Sequence, residues 1–364
     1  MRILLTGGGT AGHVMPNLAI AAELRKEFAD HPHKLNFLYI GSKNRMDVEL
    51  VRKAGINFKP IFTGKFRRYL SLQNFIDLFK IPIGVFQSIY HIQKFNPDVI
   101  FSKGGFVAVP VLLAGFILRK KIIIHESDTS PGLATKLTGA FADKILVSQE
   151  ETIKKYPRKK RKKVVCTGLP IRPEVLKGTK QAGYELTKFS PDKPVILVTG
   201  GSLGAMKMND VIWASLTRLI PDFQVVHICG KGKSAKTFSN FLLHKLQGNY
   251  IEFEYVDKEL ADIYAITDIM VTRAGANSLA EVEALGIPAI IVPLGQYSRG
   301  DQVENAQILR KKDPDHYKVI RNKNLNSNRL INAVQELSKQ KKHPAKEEAL
   351  NPIREIVKIL LSYR

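Results

Sequence analysis

The stretch RILLTGGGTAGHVMPNLAIAAELRK, from Arg2 to Lys26, predicts how the first half of the chain folds. Its apolar run is typical of a buried strand, the glycines of a tight turn, and the remainder of a helix. Gly7, Gly9 and Gly12 satisfy the G-x-G-x-x-G spacing of dinucleotide-binding proteins. That class also needs an acidic residue after the second strand, which here ends in YIGSKN. The missing acid argues against a nicotinamide cofactor, and we expect no cofactor, although the turn still suits an anion.

The same alternation of strands and helices continues along the chain and then starts again. The stretch PVILVTGGSLGAMKMNDVI, from Pro194 to Ile212, repeats the order strand, glycine turn, helix. We therefore predict two doubly wound α/β domains, over residues 1–165 and 166–344, followed by an amphipathic helix over about 345–364. Ligands of such sheets bind beyond the carboxyl ends of the strands, where every glycine turn of this sequence falls.

Composition narrows the class of protein. The chain has 364 residues, is 44% hydrophobic and carries a formal net charge of +23, which favours anionic lipid surfaces or polyanions as partners. The sequence has no RNA-binding motif beside its positive charge, so we expect no nucleic-acid partner. The 2 cysteines are too scattered for a disulfide framework or a metal cluster, and no metal-ligand set is expected. The basic run PRKKRKK at 157–163 is typical of a solvated loop, with nuclear targeting or RNA binding as alternatives.

The stretch from Val271 to Ala306 predicts a second binding element. A strand ends at Arg273-Ala274-Gly275, and the following residues to Leu285 form a helix whose first amides suit an anion. Glu281 either accepts hydrogen bonds from ribose hydroxyls or is an ordinary surface glutamate. Asp301 and Gln302 fall on a later loop, where they suit the hydroxyls of a sugar.

Seven motifs that occur in order carry a family resemblance: GGGTAGHV, FSKGGFVAVP, IIHESDTSPGLATKL, TGLPIR, VTGGSLGA, RAGANSLAEVEALGIPAIIVPL and GDQVENA. Together they resemble the MurG family of peptidoglycan glycosyltransferases over about residues 1–310. The resemblance implies a GT-B fold, in which two Rossmann-like domains face each other across a cleft. In this fold the last helix of the chain crosses back to the first domain. It implies transfer of N-acetylglucosamine from UDP-N-acetylglucosamine to the C4 hydroxyl of the muramyl sugar of lipid I, with inversion. Lipid I is an undecaprenyl-diphosphate-linked muramyl peptide, and its product is lipid II.

The resemblance also implies roles for individual residues. Asp128 stands where many members have asparagine; a carboxylate there accepts from a sugar hydroxyl but does not donate as the amide does. In the second domain, Ser202 and Arg172 would lie near the diphosphate, Val256 would contact uracil through its backbone, and Glu281 would bind the ribose. The implied contacts with substrate are Thr10, Ala11, Gly12, Asp128, Arg172, Ser202, Val256, Ala276, Asn277, Ser278, Leu279, Ala280, Glu281, Asp301 and Gln302.

Two residues are candidates for the general base that such a transfer needs. His13 directly follows the first glycine turn, and its ordinary pKa near 6.5 suits proton transfer at neutral pH. Glu126, at the end of a predicted strand beside His125 and Asp128, is the alternative. Structural roles for both residues remain open at the level of sequence.

The stretch from Gly64 to Phe95 mixes basic and large apolar residues. It predicts either ordinary packed helices or a membrane face, on which Lys65, Arg67 and Arg68 meet headgroups while Phe75, Leu78 and Phe79 enter the interface. We expect a peripheral protein on the cytoplasmic face of the cell membrane. The alternatives are a UDP-N-acetylglucosamine 2-epimerase, another GT-B glycosyltransferase, or a basic nucleic-acid-binding protein.

Overall fold

The computed structural model describes residues 1–9, 11–64, 72–201, 205–235, 246, 248–295 and 301–364. They form two compact units, Met1–Arg172 with Ala349–Arg364 (unit 1) and Pro173–Glu348 (unit 2). The first junction lies a few residues beyond the expected position at 165, because the strand Val164–Cys166 pairs with the first sheet.

Unit 1 is built on a parallel sheet whose described strands have the order β3-β2-β1-β4-β5-β6-β7. The strands are β1 Arg2–Thr6, β2 Asn36–Gly41, β3 Asn57–Pro60, β4 Val99–Ser102, β5 Lys121–Glu126, β6 Lys144–Val147 and β7 Val164–Cys166. The helices between them are α1 Ala11–Glu27, α2 Arg45–Lys53, α3 Leu72–Phe95, α4 Ala108–Ile117, α5 Leu133–Thr138, α6 Glu150–Lys154 and α7 Arg158–Arg161.

Each central strand of unit 1 is buried on both faces, which explains why these strands are continuous apolar runs. Ile3 and Leu5 belong to one core cluster, whereas Leu4 belongs to the cluster on the opposite face. The same alternation places Phe101 in the first cluster and Ile100 in the second. Helices cover both faces, as a doubly wound sheet requires.

Unit 2 repeats this architecture with the strand order β10-β9-β8-β11-β12-β13. Its strands are β8 Val195–Thr199, β9 Gln224–Ile228, β10 Tyr250–Phe253, β11 Thr267–Thr272, β12 Ala289–Ile291 and β13 Tyr317–Val319. Its described helices include α8 Lys180–Thr187, α9 Met206–Leu219, α10 Leu260–Ile266, α11 Ala276–Leu285, α12 Asp301–Lys312 and α13 Ser327–Leu337. The predicted pair of doubly wound, Rossmann-like domains is therefore confirmed.

The last helix, α14 (Asn351–Leu361), belongs to unit 1. Its apolar stripe of Ile353, Ile356, Val357 and Leu360 is buried in the core cluster that also contains Ile20 and Leu24 of α1. The basic run 157–163, expected as a loop, instead contains the short helix α7. In the part of the chain that the structure describes, helices long and apolar enough to span a bilayer are absent.

Candidate functional site

The strand order places the two glycine turns of unit 1 side by side. The chain leaves β1 toward β2 on one side and reaches β4 on the other, so the turns after β1 and β4 flank the switch point where such sheets bind ligands. The backbone N–H of Lys103 donates to the carbonyl of Thr6 at 3.1 Å. A Cβ on Gly105 would stand 3.0 Å from the carbonyl oxygen of Gly8, so the close approach of the turns requires glycine.

His13 lies in the first turn of α1 and faces the turn after β4. Its Nδ1 is 3.0 Å from the carbonyl oxygen of Lys103. Because a carbonyl only accepts hydrogen bonds, Nδ1 carries the proton and Nε2 is the basic nitrogen of the neutral ring. The fold thus fixes the tautomer of His13 through a backbone group 90 residues away in sequence.

Lys103 is a buried residue of this site that the sequence did not reveal. Its side chain is buried, and its Nζ lies 2.8 Å from Nδ1 of His125 and 2.8 Å from Oγ of Ser127. His125 donates from Nε2 to the carbonyl of Gly168 at 2.9 Å, so its Nδ1 accepts from the lysine. Burial lowers the pKa of Lys103 to about 7, against the opposing effect of Glu126 and Asp128. The pKa of His125 lies well below its usual value, first through burial and then through the charge of Lys103.

Glu126 anchors the loop that follows β5. Its Oε1 accepts from the backbone N–H of Asp128 at 3.2 Å, and its Oε2 accepts from that of Gly132 at 2.9 Å. Burial raises the pKa of this carboxyl, with hydrogen bonds from Thr135 and Gly132 opposing the rise. Since both oxygens hold backbone groups, the observed geometry gives Glu126 a structural task and makes His13 the stronger candidate for the base.

Asp47 is a second residue that the sequence did not reveal. It lies in the first turn of α2, and its Oδ2 accepts from the backbone N–H of Gly9 at 2.9 Å. A Cβ on Gly8 would stand 2.6 Å from the same oxygen. Burial raises the pKa of Asp47. The sequence has no acidic residue at the end of β2. In the structure Asp47, from the following helix, reaches the first glycine turn and accepts a hydrogen bond from the backbone of that turn.

Unit 2 has its own switch point, between β8 and β11. Gly275 precedes the first turn of α11, so the N-terminal end of this helix lies at the end of β11, where its dipole suits an anion. Arg273 is buried there, and its Nη1 donates to the carbonyl of Val292 at 3.0 Å and to Oδ1 of Asn322 at 2.9 Å. The guanidinium therefore ties the ends of β11 and β12 together beneath the helix.

The predicted helix over Ala276–Leu285 is present as α11. Glu281 lies on it, and its Oε2 accepts from the hydroxyl of Tyr264 on α10 at 2.8 Å. The carboxylate is partly buried. A neighbouring helix thus orients Glu281, an arrangement that fits a ligand-binding carboxylate better than an ordinary surface glutamate.

Asp301 and Gln302 were expected on a loop, and that expectation is wrong. Both lie in the first turn of α12, where Asp301 is buried. Gln302 accepts through Oε1 from the backbone N–H of Leu294 at 2.9 Å. The helix begins here because the run from Asp301 has acidic residues in its first turn and basic residues in its last, which stabilise the helix dipole.

The remaining predicted residues are distributed as follows. Ala11 and Gly12 open α1, and Asp128 lies in the loop held by Glu126. Arg172 is the last residue of the first segment of unit 1, and Val256 lies between β10 and α10. Ala276, Asn277, Ser278, Leu279 and Ala280 form the first half of α11. Residues Thr10, Ser202, Lys65, Arg67 and Arg68 lie outside the described residues, as do the side chains of Phe75, Leu78 and Phe79.

Among the described residues, one group of three side chains has potential metal ligands in proximity: Asp313, His316 and His343. The two imidazole rings stack with centroids 3.8 Å apart and planes at 10°. Ring nitrogens coordinate metals in the ring plane, so nearly parallel stacked rings do not converge on one ion. His343 Nε2 is instead hydrogen-bonded to Oδ2 of Asp313 at 3.0 Å.

Comparison with known proteins defines the class first. Residues 3–147 match the glycosyltransferase family 28 N-terminal domain, and residues 195–360 match the glycosyltransferase family 28 C-terminal domain. A solved structure, MurG of Acinetobacter baumannii, superposes with a TM-score of 0.69 at 22% identity over 99% of both chains. The UDP-GlcNAc 2-epimerase of Neisseria meningitidis, bound to UDP-GlcNAc, gives 0.63 at 16% identity over 100% of both chains, which shows the shared fold alone. The protein is a glycosyltransferase of the GT-B type.

Closer relatives define the particular family. A UDP-N-acetylglucosamine–N-acetylmuramyl-(pentapeptide) pyrophosphoryl-undecaprenol N-acetylglucosamine transferase of Bacillus cereus is 42% identical, covering 93% of this chain and 91% of that one. A Legionella pneumophila protein of the same name is 43% identical, with 93% and 89% covered. The chain belongs to this family of transferases, the MurG family.

Proposed function

We propose that this protein transfers N-acetylglucosamine from UDP-N-acetylglucosamine to the C4 hydroxyl of the muramyl sugar of lipid I, forming lipid II. Membership of the family supports the reaction. The observation that carries the mechanism is the hydrogen bond from Nδ1 of His13 to the carbonyl of Lys103, at the switch point of unit 1. It presents Nε2 as the basic nitrogen beside the glycine turns.

In this mechanism Nε2 of His13 removes the proton of the acceptor hydroxyl as the hydroxyl oxygen attacks the anomeric carbon. The bond from that carbon to the UDP oxygen breaks in the same step, and the configuration inverts. A positioned base contributes roughly 10²–10⁴-fold to such a step. Glu126 is not assigned as the base, because its two oxygens already hold the N–H groups of Asp128 and Gly132.

The leaving UDP gains negative charge, and unit 2 supplies the groups to stabilise it. The first turn of α11 presents backbone N–H groups, which stabilise the charge without reorganisation. Glu281, oriented by Tyr264, accepts from the ribose hydroxyls. In unit 2 we assign Ser202 to the diphosphate, Val256 to the uracil, and Asp301 and Gln302 to the N-acetylglucosamine, on the family's pattern. The same pattern assigns Arg172, which ends the first segment of unit 1, to the diphosphate.

The reaction is tested with UDP-N-acetylglucosamine labelled in the sugar and a short-chain lipid I analogue. We expect a disaccharide product with stoichiometric release of UDP, and a β linkage at the new bond by NMR. The same donor without the acceptor is the control: conversion of the sugar to its C2 epimer would instead identify an epimerase. An absence of transfer to the analogue, in protein that binds UDP, would contradict the proposal.

We further propose that unit 1 binds the cytoplasmic face of the membrane through apolar residues on three adjacent helices. Ile83, Phe86 and Tyr90 recur along one stripe of α3, and Phe86 is 72% exposed. α4 packs on α3 and contributes Phe116 and Ile117, and α5 packs on α4 and contributes Leu133 and Leu137. Exposed Arg119 and Lys136 place positive charge on the same helix ends, which favours anionic headgroups.

Sedimentation with lipid vesicles tests this surface. We expect binding to vesicles that contain phosphatidylglycerol and little binding to purely zwitterionic ones. The variant Phe86→Ser should bind several-fold more weakly, whereas Tyr255→Ser, which removes an exposed aromatic side chain from unit 2, should bind as the wild type does. Equal loss in both variants, or in neither, would reject the surface.

A further inference from the structure

Lys103 contributes only its backbone carbonyl to the proposed mechanism, although its side chain is buried. Its side chain is 1% exposed, so the ammonium lies under the glycine turns rather than in solvent. It donates to His125 on β5 and to Ser127 in the following loop. Ser127 is held in turn, since its carbonyl accepts from Oγ of Ser148 at 2.6 Å. One residue therefore connects the β4 turn, β5 and the loop after it.

The surroundings of Lys103 are acidic on one side. Glu126 and Asp128 both interact with its charge, and the carboxylate of Glu126 is itself buried. Burial raises the pKa of Glu126 most, and the charge of Asp128 raises it further. The buried ammonium of Lys103 has the opposite charge and interacts favourably with both carboxylates.

We propose that Lys103 is a positioning residue of the transferase, which fixes the loop of Asp128 through hydrogen bonds to His125 and Ser127 and supplies a counter-charge to Glu126 and Asp128. This proposal rests on the proposed function. Its structural consequence is that Lys103 aligns two parts of one site. Its carbonyl orients His13, and its ammonium orients the loop of Asp128.

Charge coupling of this kind is tested by a double-mutant cycle. The variant Lys103→Met keeps an unbranched side chain and the backbone carbonyl but loses the ammonium. We expect kcat/KM for the lipid I analogue to fall about 10²-fold, as for a displaced reacting group. Asp128→Asn alone should have a smaller effect. The double variant should recover at least about tenfold over Lys103→Met, because it no longer holds two uncompensated carboxylates.

Matched controls separate this role from folding. Lys53→Met replaces an exposed lysine on α2 and should leave kcat and KM unchanged. Binding of UDP, to which neither Lys103 nor Asp128 is assigned, should stay within twofold of wild type in every variant. Effects of the two substitutions that simply multiply, or a Lys103→Met variant within threefold of wild type, would overturn the inference. A wild-type protein without transfer activity would instead overturn the proposed function.

The pH profile gives a readout that needs no change at Lys103 and remains informative if Lys103→Met does not fold. Among the described residues, Glu126 and Asp128 act on the charge of Lys103, and His125 accepts its hydrogen bond, whereas His13 contacts only its backbone carbonyl. As the pH rises, Lys103 loses its proton, so kcat/KM should fall along the alkaline limb of its pH profile. Since Asp128 raises the pKa of Lys103, Asp128→Asn should move that limb to lower pH. An unmoved or upward-moved limb would contradict the inference.

Discussion

At the scale of single residues, backbone groups set the chemistry of the candidate site. A histidine in water exchanges between two tautomers, but the carbonyl of Lys103 retains the proton of His13 on Nδ1. The carboxylate of Asp47 likewise occupies the N–H of Gly9, which would otherwise be free to bind a phosphate. The first glycine turn is thus completed by a side chain of the protein, while the turn after β4 orients His13, the proposed base.

The first prediction concerns His13. His13→Ala should lower kcat by about 10² or more, the usual contribution of a general base, with little change in the KM for UDP-N-acetylglucosamine. Steady-state kinetics at saturating lipid I analogue measures it. His31→Ala removes an exposed histidine and is the matched control. A loss of less than about tenfold in His13→Ala would reject His13 as the base.

The sequence indicated His13 as a candidate base but not the groups that hold its side chain. His13 was accessible to sequence reasoning because it adjoins a glycine turn after an apolar strand, and such turns end at one edge of a sheet. Lys103 and Asp47 were not, since their contacts join residues 90 and 38 positions apart. A lysine in a run such as FSKGGF is ordinarily exposed, and only the packing of β4 against β5 shows that it is buried.

At the scale of elements, a polar network fixes β9, β10 and α9 of unit 2. His227 is fully buried, and its Nε2 lies 3.2 Å from Oδ1 of Asn209, while Nδ1 lies 3.1 Å from the hydroxyl of Tyr250. Glu252 accepts from Nε1 of Trp213 at 2.8 Å. Its Oε1 accepts from the N–H of Ala235 at 2.9 Å, which holds the segment after β9.

This network makes the stability of unit 2 depend on pH. Burial lowers the pKa of His227 to about 4, against the opposing effect of Glu252. Between that value and 6.5 the unfolded chain binds the proton and the folded chain does not. His227 therefore does not lower the free energy of unfolding of unit 2 above pH 6.5. As the pH drops from 6.5 to 4, this free energy falls by about 3 kcal/mol. Urea unfolding followed by Trp213 fluorescence should show this slope, and His227→Gln should flatten it. Equal slopes in both proteins would refute the assignment.

The C-terminal end of α11 depends on a glycine in the left-handed conformation. Gly286 closes the helix with φ of 62°, and a Cβ there would stand 2.5 Å from the carbonyl oxygen of His343. Gly286→Ala should therefore combine about 1–2 kcal/mol of backbone strain with a steric clash. Gly248→Ala is the control, because its φ is 77° but nothing lies within 4 Å. Urea midpoints compare the two, and a Gly286→Ala variant no less stable than Gly248→Ala would contradict the argument.

At the scale of the whole molecule, the chain leaves unit 1 at Arg172, forms unit 2, and returns to unit 1 at Ala349. The amphipathic pattern of the last helix was visible in the sequence, but its place was supplied there only by the family resemblance. Periodicity gives the width of an apolar stripe and not the surface that it covers. The structure gives the partner: α14 packs on α1, and its stripe completes the core on one face of the first sheet.

This return of the chain predicts that a substitution near its end destabilises the unit formed by its beginning. Ile356 is 0% exposed in the core of unit 1, so Ile356→Ala should lower the free energy of unfolding of unit 1 by about 2–5 kcal/mol.

The sequence contains 1 tryptophan, Trp213, and it lies in unit 2, so its fluorescence reports on that unit while circular dichroism reports on both. We expect the variant to move the early part of the circular-dichroism transition in urea and to leave the Trp213 transition in place. Lys358→Ala, on the exposed face of the same helix, should change neither curve by more than about 0.5 kcal/mol. Equal shifts of both signals in Ile356→Ala would instead show that the two units unfold as one.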